Sequence, residues 1–303
     1  MSESRHNPDQ LLKEIQADEE NRNKGHLKIF FGYAAGVGKT YAMLEAAHME
    51  KQQGIDVVAG YVETHARPQT AALLNGLEVL PTREVFYNGM ILDEFDIGMA
   101  LKRKPQLILV DELAHTNAEG CRHAKRYQDI KELLNAGIDV YTTVNVQHIE
   151  SLCDTVASIT EIVVRERIPD SIFDNADQVE LIDIEPQDLI NRLNTGNVYR
   201  QTQAKQAVEN FFTIENLTAL REISLRRCAD RVNILTENTR IKNHGDYHTG
   251  EHILVCLSSS PSNAKIIRTA AKMASAFKGE FTALFVETPD FSVMSEENVK
   301  RLR

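Results

Sequence analysis

LKIFFGYAAGVGKT, residues 27–40, carries an apolar run through a glycine-rich turn into a helical pattern over 41–53 that stops at Gly54. A strand, a glycine loop and then Gly-Lys-Thr opening a helix is the order of a phosphate-binding loop. Each part has a physical task. Glycines such as Gly36 and Gly38 let backbone N–H groups turn toward an anion. The helix N-terminus adds unpaired N–H groups and the positive end of its dipole. Lys39 is expected to reach the outer phosphates of a nucleoside triphosphate, and Thr40 to set its hydroxyl on Mg²⁺. The candidate ATP site is therefore Gly32, Ala35, Gly36, Val37, Gly38, Lys39, Thr40 and Tyr41. One position departs from the usual spacing. Counting back from Thr40, the first glycine slot falls on Tyr33, and Gly32 stands one residue early. This predicts an altered bend at the start of the loop. The plain alternative is an ordinary glycine-rich turn.

The second half of such a site is LILVDE, residues 107–112. Four apolar residues ending in two acids read as a buried strand with Asp111 at its tip, placed to orient Mg²⁺. Glu112 beside it is a candidate to polarise an attacking water or hydroxyl. Residues 56–63, DVVAGYVE, read as another buried strand, ending in Glu63, His65 and Arg67. Residues 139–146, DVYTTVNV, are rich in β-branched residues and read as a further strand, with Gln147 and His148 at its end. In an open parallel sheet, ligands sit beyond the carboxyl ends of the strands, so these polar ends belong to the same edge. Their alternative is ordinary loop polarity. The same choice holds for the polar loop with His115, Thr116, Asn117, Arg122, His123, Lys125 and Arg126, which either covers a nucleotide or is simply solvated.

Between these segments, 70–77 reads as a short helix, 85–87 as a brief strand and 93–103 as a helix. Residues 127–135 read as a helix, and 161–168 and 178–184 as strands. Strands alternating with helices predict a doubly wound, parallel α/β sheet. From Pro186 the character changes to helices at 187–193, 201–212 and 217–235. The last carries Arg221, Arg226, Arg227 and Arg231, which either reach the phosphates or form a solvated face. Residues 1–24 read as a polar tail, in which 9–18 form a short peripheral helix with Leu11, Leu12 and Ile15 on one face.

Residues 236–250 read as a polar linker. At His252 a second pattern begins: a strand at 253–257, a serine-rich turn, and a helix marked by Ile267, Ala270, Ala271, Ala274 and Phe277. A further strand follows at 281–286. The domain reading is thus a tail at 1–24, a P-loop ATP-binding domain at 25–235, a linker at 236–250 and an incomplete α/β domain at 251–303. Such a βαβ unit is about one third of an α/β domain, which suggests a piece of a longer protein.

The whole chain limits the partners. With 303 residues and 42% hydrophobic content it can build packed cores. A formal net charge of −10 argues against nucleic acid as the main partner. The cysteines, Cys121, Cys153, Cys228 and Cys256, form no metal-type or redox-type pair and read as reduced thiols. No signal peptide is read, and no run nears the roughly 18 apolar residues of a membrane span, so this stretch is expected in the cytoplasm.

Four stretches, FFGYAAGVGKT, GYVETHARPQTAALLNGLEVLP, LILVDELAHTN and AGIDVYTTVNVQHIESL, closely resemble the KdpD family of membrane sensor histidine kinases that control potassium uptake in bacteria. The resemblance covers about two thirds of the chain, and the shifted first glycine is shared with that family. Residues from His252 onward look like the opening half of the universal-stress-protein-like domain that follows in that family. The resemblance implies a P-loop ATP-binding module, a stress-protein-like module, four membrane helices and a kinase core, the last two absent here. It implies a two-component system, the response regulator KdpE and the downstream kinase core as partners, homodimers, and a full-length protein in the cell membrane. This stretch alone is not expected to phosphorylate itself on histidine.

Some members of the family are similar in a second respect, binding cyclic-di-AMP through paired serines, a spacer of twenty residues, then Phe-Thr-Ala and an aromatic. Here Ser258 and Ser260 precede Phe281, Thr282, Ala283, Leu284 and Phe285, with 261–280 between them. Phe285 stands where the pattern has tyrosine. The resemblance makes Ser258, Ser259, Ser260, Asn263, Phe281, Thr282, Ala283 and Phe285 the candidate cyclic-di-AMP site. The residues themselves allow this: serines at a helix start can take a phosphate, and Phe281 and Phe285 share a strand face that can pack an adenine. They equally allow a serine-rich helix cap with two core phenylalanines. For the whole stretch the leading expectation is a regulatory ATP-binding and cyclic-di-AMP-binding module. The alternatives are a self-contained P-loop phosphotransferase or ATPase and an interaction scaffold with a vestigial nucleotide site.

Overall fold

The computed structural model describes residues 24–64, 67–87, 89–194, 211–243, 252–257, 263–276 and 279–286. Contacts divide it into two compact units, 1–228 and 229–303. The readings for helix 9–18, His65, most of helix 201–212, and Ser258, Ser259 and Ser260 lie outside the described residues.

The first unit is built on six parallel strands: β1 (Leu27–Gly32), β2 (Val57–Tyr61), β3 (Glu78–Val79), β6 (Leu107–Val110), β7 (Asp139–Asn145) and β8 (Gln178–Leu181). Their order is β3-β2-β6-β7-β1-β8, and every pairing is parallel. Strands that are buried on both faces need apolar residues at successive positions rather than alternate ones. β1 and β6 show this. Ile29 and Phe31 enter one core with Ile108 and Val110, while Phe30 enters the other with Leu107 and Leu109. The second core is closed by α1 (Lys39–Gln52) through Met43, Leu44, Ala46 and Ala47. The first is closed by α3 (Ile97–Arg103) and α4 (Arg126–Asn135), which contribute Ile97, Ala100, Ile130 and Leu133. Removing one such buried side chain, as in Leu109→Ala, costs about 2–5 kcal/mol because transfer and cavity terms add.

Parallel connections return every strand in the same direction, so the loops after β1, β2, β6 and β7 gather at one edge. The β1 strand touches β7 and β8, not β6. The strand ending at Asp111 is therefore one strand removed from the glycine loop, and β7 lies between them.

Three readings need correction. Residues 83–94 form an antiparallel hairpin of β4 (Arg83–Tyr87) and β5 (Met90–Glu94), so a helix cannot start at Asp93. The cap of α3 is Asp96, whose carboxylate accepts from Met99 N at 3.0 Å. Asn88-Gly89 between the strands is the strongest short hairpin signal, and Gly89 has the positive φ, 83°, that such a turn demands. Residues 161–168 are not a strand. They follow α5 (Cys153–Thr160), which ends at Glu161 in the left-handed region, and only Ile168 bridges to Ile149. Loop contacts satisfy this segment instead: the Glu166 carboxylate accepts from Thr116 N, and its carbonyl from His148. The short helix after β2 is α2 (Pro68–Ala72), begun by proline in its first turn, and gives way to turns before Gly76.

After β8, α7 (Pro186–Asn194) packs Leu189 into the first core, while α6 (Asp170–Asp174) supplies Phe173. The last helix, α8 (Ile214–Asn243), runs eight residues into the stretch read as a linker. Nothing in 236–243 is glycine or proline, so no local signal stops it before Gly245. The second unit contains β9 (His252–Leu257), α9 (Asn263–Ala276) and β10 (Glu280–Phe285), with the strands parallel and in register from His252–Glu280 to Leu257–Phe285. No described helix is long and apolar enough to cross a membrane.

Candidate functional site

Gly32 ends β1 and lies under the loop. A Cβ there would meet Val37 Cγ2 at 2.7 Å and the Lys39 side chain at 3.2 Å, so the loop closes only over glycine. Tyr33, in the first glycine slot, turns inward. It is fully buried and donates its hydroxyl to the Ile184 carbonyl at 3.1 Å. Burial raises this phenol to a pKa of about 12. The altered start of the loop is thus a buried tyrosine anchor. Gly36 and Gly38 have φ of 91° and 112°, where a side chain would be strained. Gly38 caps α1, and the first helical bond runs from Ala42 N to Gly38 O at 3.0 Å. The N–H groups ahead of Ala42 are the ones a helix N-terminus offers to an anion.

Beyond the loop is a cavity of 120 Å³ whose walls include Gly36, Gly38, Lys39, Thr40, Asp111 and Glu112. Ala35 lines it too. Residues 71 positions apart meet here: Thr40 Oγ1 donates to Asp111 Oδ2 at 3.0 Å. Asp111 is 1% exposed. Its Oδ1 accepts from the Glu112 N–H at 3.0 Å and from the Thr143 hydroxyl of the intervening strand. Three donors hold the carboxylate in one orientation. Glu112 sits in the left-handed region with φ 59°, a costly conformation for a non-glycine residue that tends to mark functional sites.

Lys39 is 8% exposed. Its ammonium donates to the Ala34 carbonyl at 3.1 Å and to Asn145 Oδ1 at the tip of β7. Burial lowers its pKa from 10.5 to about 8, against the opposing pull of the Asp111 carboxylate. His148 and Glu166 also line the cavity. Burial lowers the His148 pKa, and Nδ1 bonds the Glu166 carbonyl at 2.9 Å, which makes Nδ1–H the donor of a neutral ring.

A second layer supports Asp111. Arg126, 0% exposed, donates to the Asp111 carbonyl at 3.3 Å and to Glu94 Oε2 at 3.0 Å, with its guanidinium 4.1 Å from the Tyr61 ring. Glu94 also bonds His115 Nε2 at 3.1 Å and accepts from Ala118 N at 2.8 Å. Burial works to raise the Glu94 pKa, but these hydrogen bonds outweigh it and hold the carboxyl below its ordinary value. The loop after Asp111 is thus tied down rather than merely solvated.

Not every candidate residue faces the cavity. Gly32 is structural, and Val37 and Tyr41 line an adjoining groove. Arg67 borders both spaces. Three of the four arginines read on α8 are committed elsewhere. Arg221 binds Asp183 and Glu185, Arg226 pairs with Glu222, and Arg227 is buried on Asp174 and over the Phe173 ring. A different arginine, Arg192 of α7, reaches the loop: its Nη1 lies 3.9 Å from where a Cβ on Gly38 would be. Thr143, Asn145, Glu166 and Arg192 carry no local signal of such placement. For Thr143 and Asn145 the strand order alone supplies it.

In the second unit, β10 places Phe281 and Phe285 on one face by alternation, and Phe281 is 37% exposed. Ala283 lies between them on that face. Thr282 faces the other way, where its hydroxyl bonds His252 Nε2 at 2.9 Å. Asn263 opens α9.

Residues 23–232 match the family described as KdpD, the osmosensitive K⁺ channel His kinase sensor domain. A sensor protein KdpD from Clostridium acetobutylicum is 58% identical over 287 residues, 94% of this chain and 32% of the relative. That of Escherichia coli K12 is 50% identical over 298 residues, covering 97% and 33%. One from Mycobacterium tuberculosis is 46% identical over 265 residues, covering 87% and 31%. The chain spans about a third of the length of these curated relatives. By a match that takes in most of its length, the glycine loop and Asp111 included, the chain belongs to the KdpD family.

Proposed function

We propose that this chain is a cytoplasmic ligand-binding portion of a potassium-responsive two-component sensor, and that it holds ATP with Mg²⁺ at the loop 32–40. The observation that carries this is the meeting of Lys39, Thr40 and Asp111 around one cavity at the start of a helix. The donor set fits the ligand. A hydroxyl and a carboxylate oxygen 3.0 Å apart are hard oxygen donors. Mg²⁺ is commonly held by one or two such groups and completed by phosphate and water oxygens. Lys39 supplies a cation, and α1 supplies N–H groups.

In the full-length protein this module biases a downstream kinase core at the cell membrane, which passes phosphate to a response regulator, KdpE. The names of the relatives, sensor proteins KdpD, and the family description as a His kinase sensor domain support the coarser part of that setting, a sensor kinase with a response regulator. The test is calorimetry of ATP with and without Mg²⁺. Lys39→Ala is expected to weaken binding about tenfold or more, since a charge-assisted hydrogen bond is worth roughly 1.5–3 kcal/mol. Asp111→Asn should lose more affinity with Mg²⁺ than without it. Unchanged affinity in a folded Lys39→Ala variant overturns the reading. Glu112, beside Asp111, favours a second reading as an ATPase or phosphotransferase, in which steady turnover persists without any other module and falls on Glu112→Gln.

Cyclic-di-AMP is the proposed ligand of the second unit. Phe281 and Phe285 on one strand face support it, with Asn263 at the start of α9. The ligand needs flat apolar faces for two adenines and a polar cradle for two phosphates, and Ser258 and Ser260 would serve the latter.

A further inference from the structure

Beside the phosphate cavity lies a groove of 420 Å³, and the two share Gly36, Gly38 and Arg67 as walls. Their sizes divide the work. The cavity, at 120 Å³, is far below the range of roughly 300–1,000 Å³ typical of small-molecule sites. It suits phosphates and metal, not a whole nucleotide. The groove falls within that range and begins where the cavity ends, at the first turn of α1. Its remaining walls differ in chemistry from the cavity. Tyr41 presents a ring 39% exposed, and the Glu45 carboxylate one turn on raises its pKa. Pro68 and Ile182 add apolar surface, and Gln69 adds a carboxamide. Arg192 brings a guanidinium to the Gly38 end of the groove, next to the shared wall.

We infer that this groove is the nucleoside subsite of the ligand whose phosphates occupy the loop. Tyr41 packs against the base, and Arg192 contacts the innermost phosphate from the groove side while Lys39 serves the outer ones. The arrangement follows from chain geometry. The polyphosphate runs along the start of α1, so the nucleoside must leave the cavity past Gly38 and Tyr41. It also gives α7, otherwise packed on the core through Leu189, a direct contact with the bound nucleotide.

This inference rests on the ATP reading above, and the experiment separates the two. Wild type, Tyr41→Ala, Tyr41→Phe and Arg192→Gln are titrated in Mg²⁺ with ATP and with inorganic tripolyphosphate, which has the phosphates but no nucleoside. Wild type should bind ATP at least about fivefold tighter than tripolyphosphate, the low end of what base–aromatic stacking contributes. Tyr41→Ala should lose about that factor for ATP alone, and Tyr41→Phe, which keeps the ring, should not. Tyr41 is exposed enough that its removal leaves the core intact. Arg192→Gln should weaken both ligands, since its contact is to phosphate. Equal wild-type affinities, or a Tyr41→Ala variant that loses both ligands or neither, overturn the groove while sparing the loop. An indifferent Arg192→Gln overturns the arginine contact. A wild-type chain that binds neither ligand overturns both readings.

Discussion

Lys39 is held where an ammonium is poorly solvated, and its ligands in the free protein are a carbonyl and a carboxamide rather than a full counter-charge. That is why burial outweighs Asp111 and its pKa falls to about 8. The consequence for pH has a definite sign. In the unfolded chain the group keeps its proton to about 10.5, so between 8 and 10.5 the unfolded state binds more protons and stability from this group rises with pH. Below pH 8 the buried charge is a standing cost. Lys39→Met should therefore gain stability over wild type below pH 8 and lose that advantage toward pH 10.5, measured as the difference in urea unfolding. Binding has the opposite trend. Phosphates favour the charged lysine, so ATP affinity should fall as pH rises above 8, with proton uptake visible in calorimetry as a dependence on buffer ionisation heat. Affinity that stays flat from pH 7 to pH 9.5 would rule out Lys39 as the titrating contact.

At the scale of elements, the site depends on pieces joined across the fold. Asp111 ends β6, but Thr143 of β7 and Thr40 of α1 orient its carboxylate, and Arg126 of α4 bonds its carbonyl. Arg126 also joins α4 to the end of the β4–β5 hairpin through Glu94, whose side chain is 4% exposed. Breaking a buried pair from one side strands the other charge, at a cost of about 3–5 kcal/mol. Arg126→Met is expected to destabilise by about 3 kcal/mol, less than the maximum because His115 and Ala118 still bond Glu94. Adding Glu94→Met should recover part of that loss, and a double-mutant cycle in urea measures the coupling. Strictly additive losses would show that the pair is not coupled. The hairpin itself was readable in Asn88-Gly89, yet the charged stretch after it also resembles a helix start. Asp93 and Asp96 are equally plausible caps in sequence. The choice went to Asp96 because residues 90–94 pair with 83–87.

For the molecule as a whole, the division into two compact units predicts separable binding. A chain ending at Asn243 should keep ATP affinity within about twofold, since every residue lining the phosphate cavity belongs to the first unit. It should lose cyclic-di-AMP binding entirely. In the intact chain, Ser258→Ala with Ser260→Ala should weaken cyclic-di-AMP at least about tenfold and leave ATP untouched. Isothermal titration of both chains with both ligands checks this, with linear diadenylate as competitor. Equal affinity for cyclic and linear ligands, or cyclic-di-AMP binding by the shortened chain, would remove the second unit from the proposal.

Local pattern alone was enough to locate β1, the glycine loop, α1 and β6, because each is governed by neighbours in sequence. Apolar runs make buried strands, glycines permit positive φ, and a helix begins where backbone N–H groups have no earlier partner. The same locality made the family recognisable. What no local pattern contains is strand order. Only the assembled sheet sets β7 between β1 and β6, and so puts Thr143 against Asp111 and Asn145 against Lys39. It alone sends Arg192, and not Arg221 or Arg227 of α8, to the loop, because those two find carboxylates at Asp183, Glu185 and Asp174 on the way. Contacts between residues a hundred positions apart follow from how the sheet buries both its faces, a property of the whole core rather than of any stretch within it.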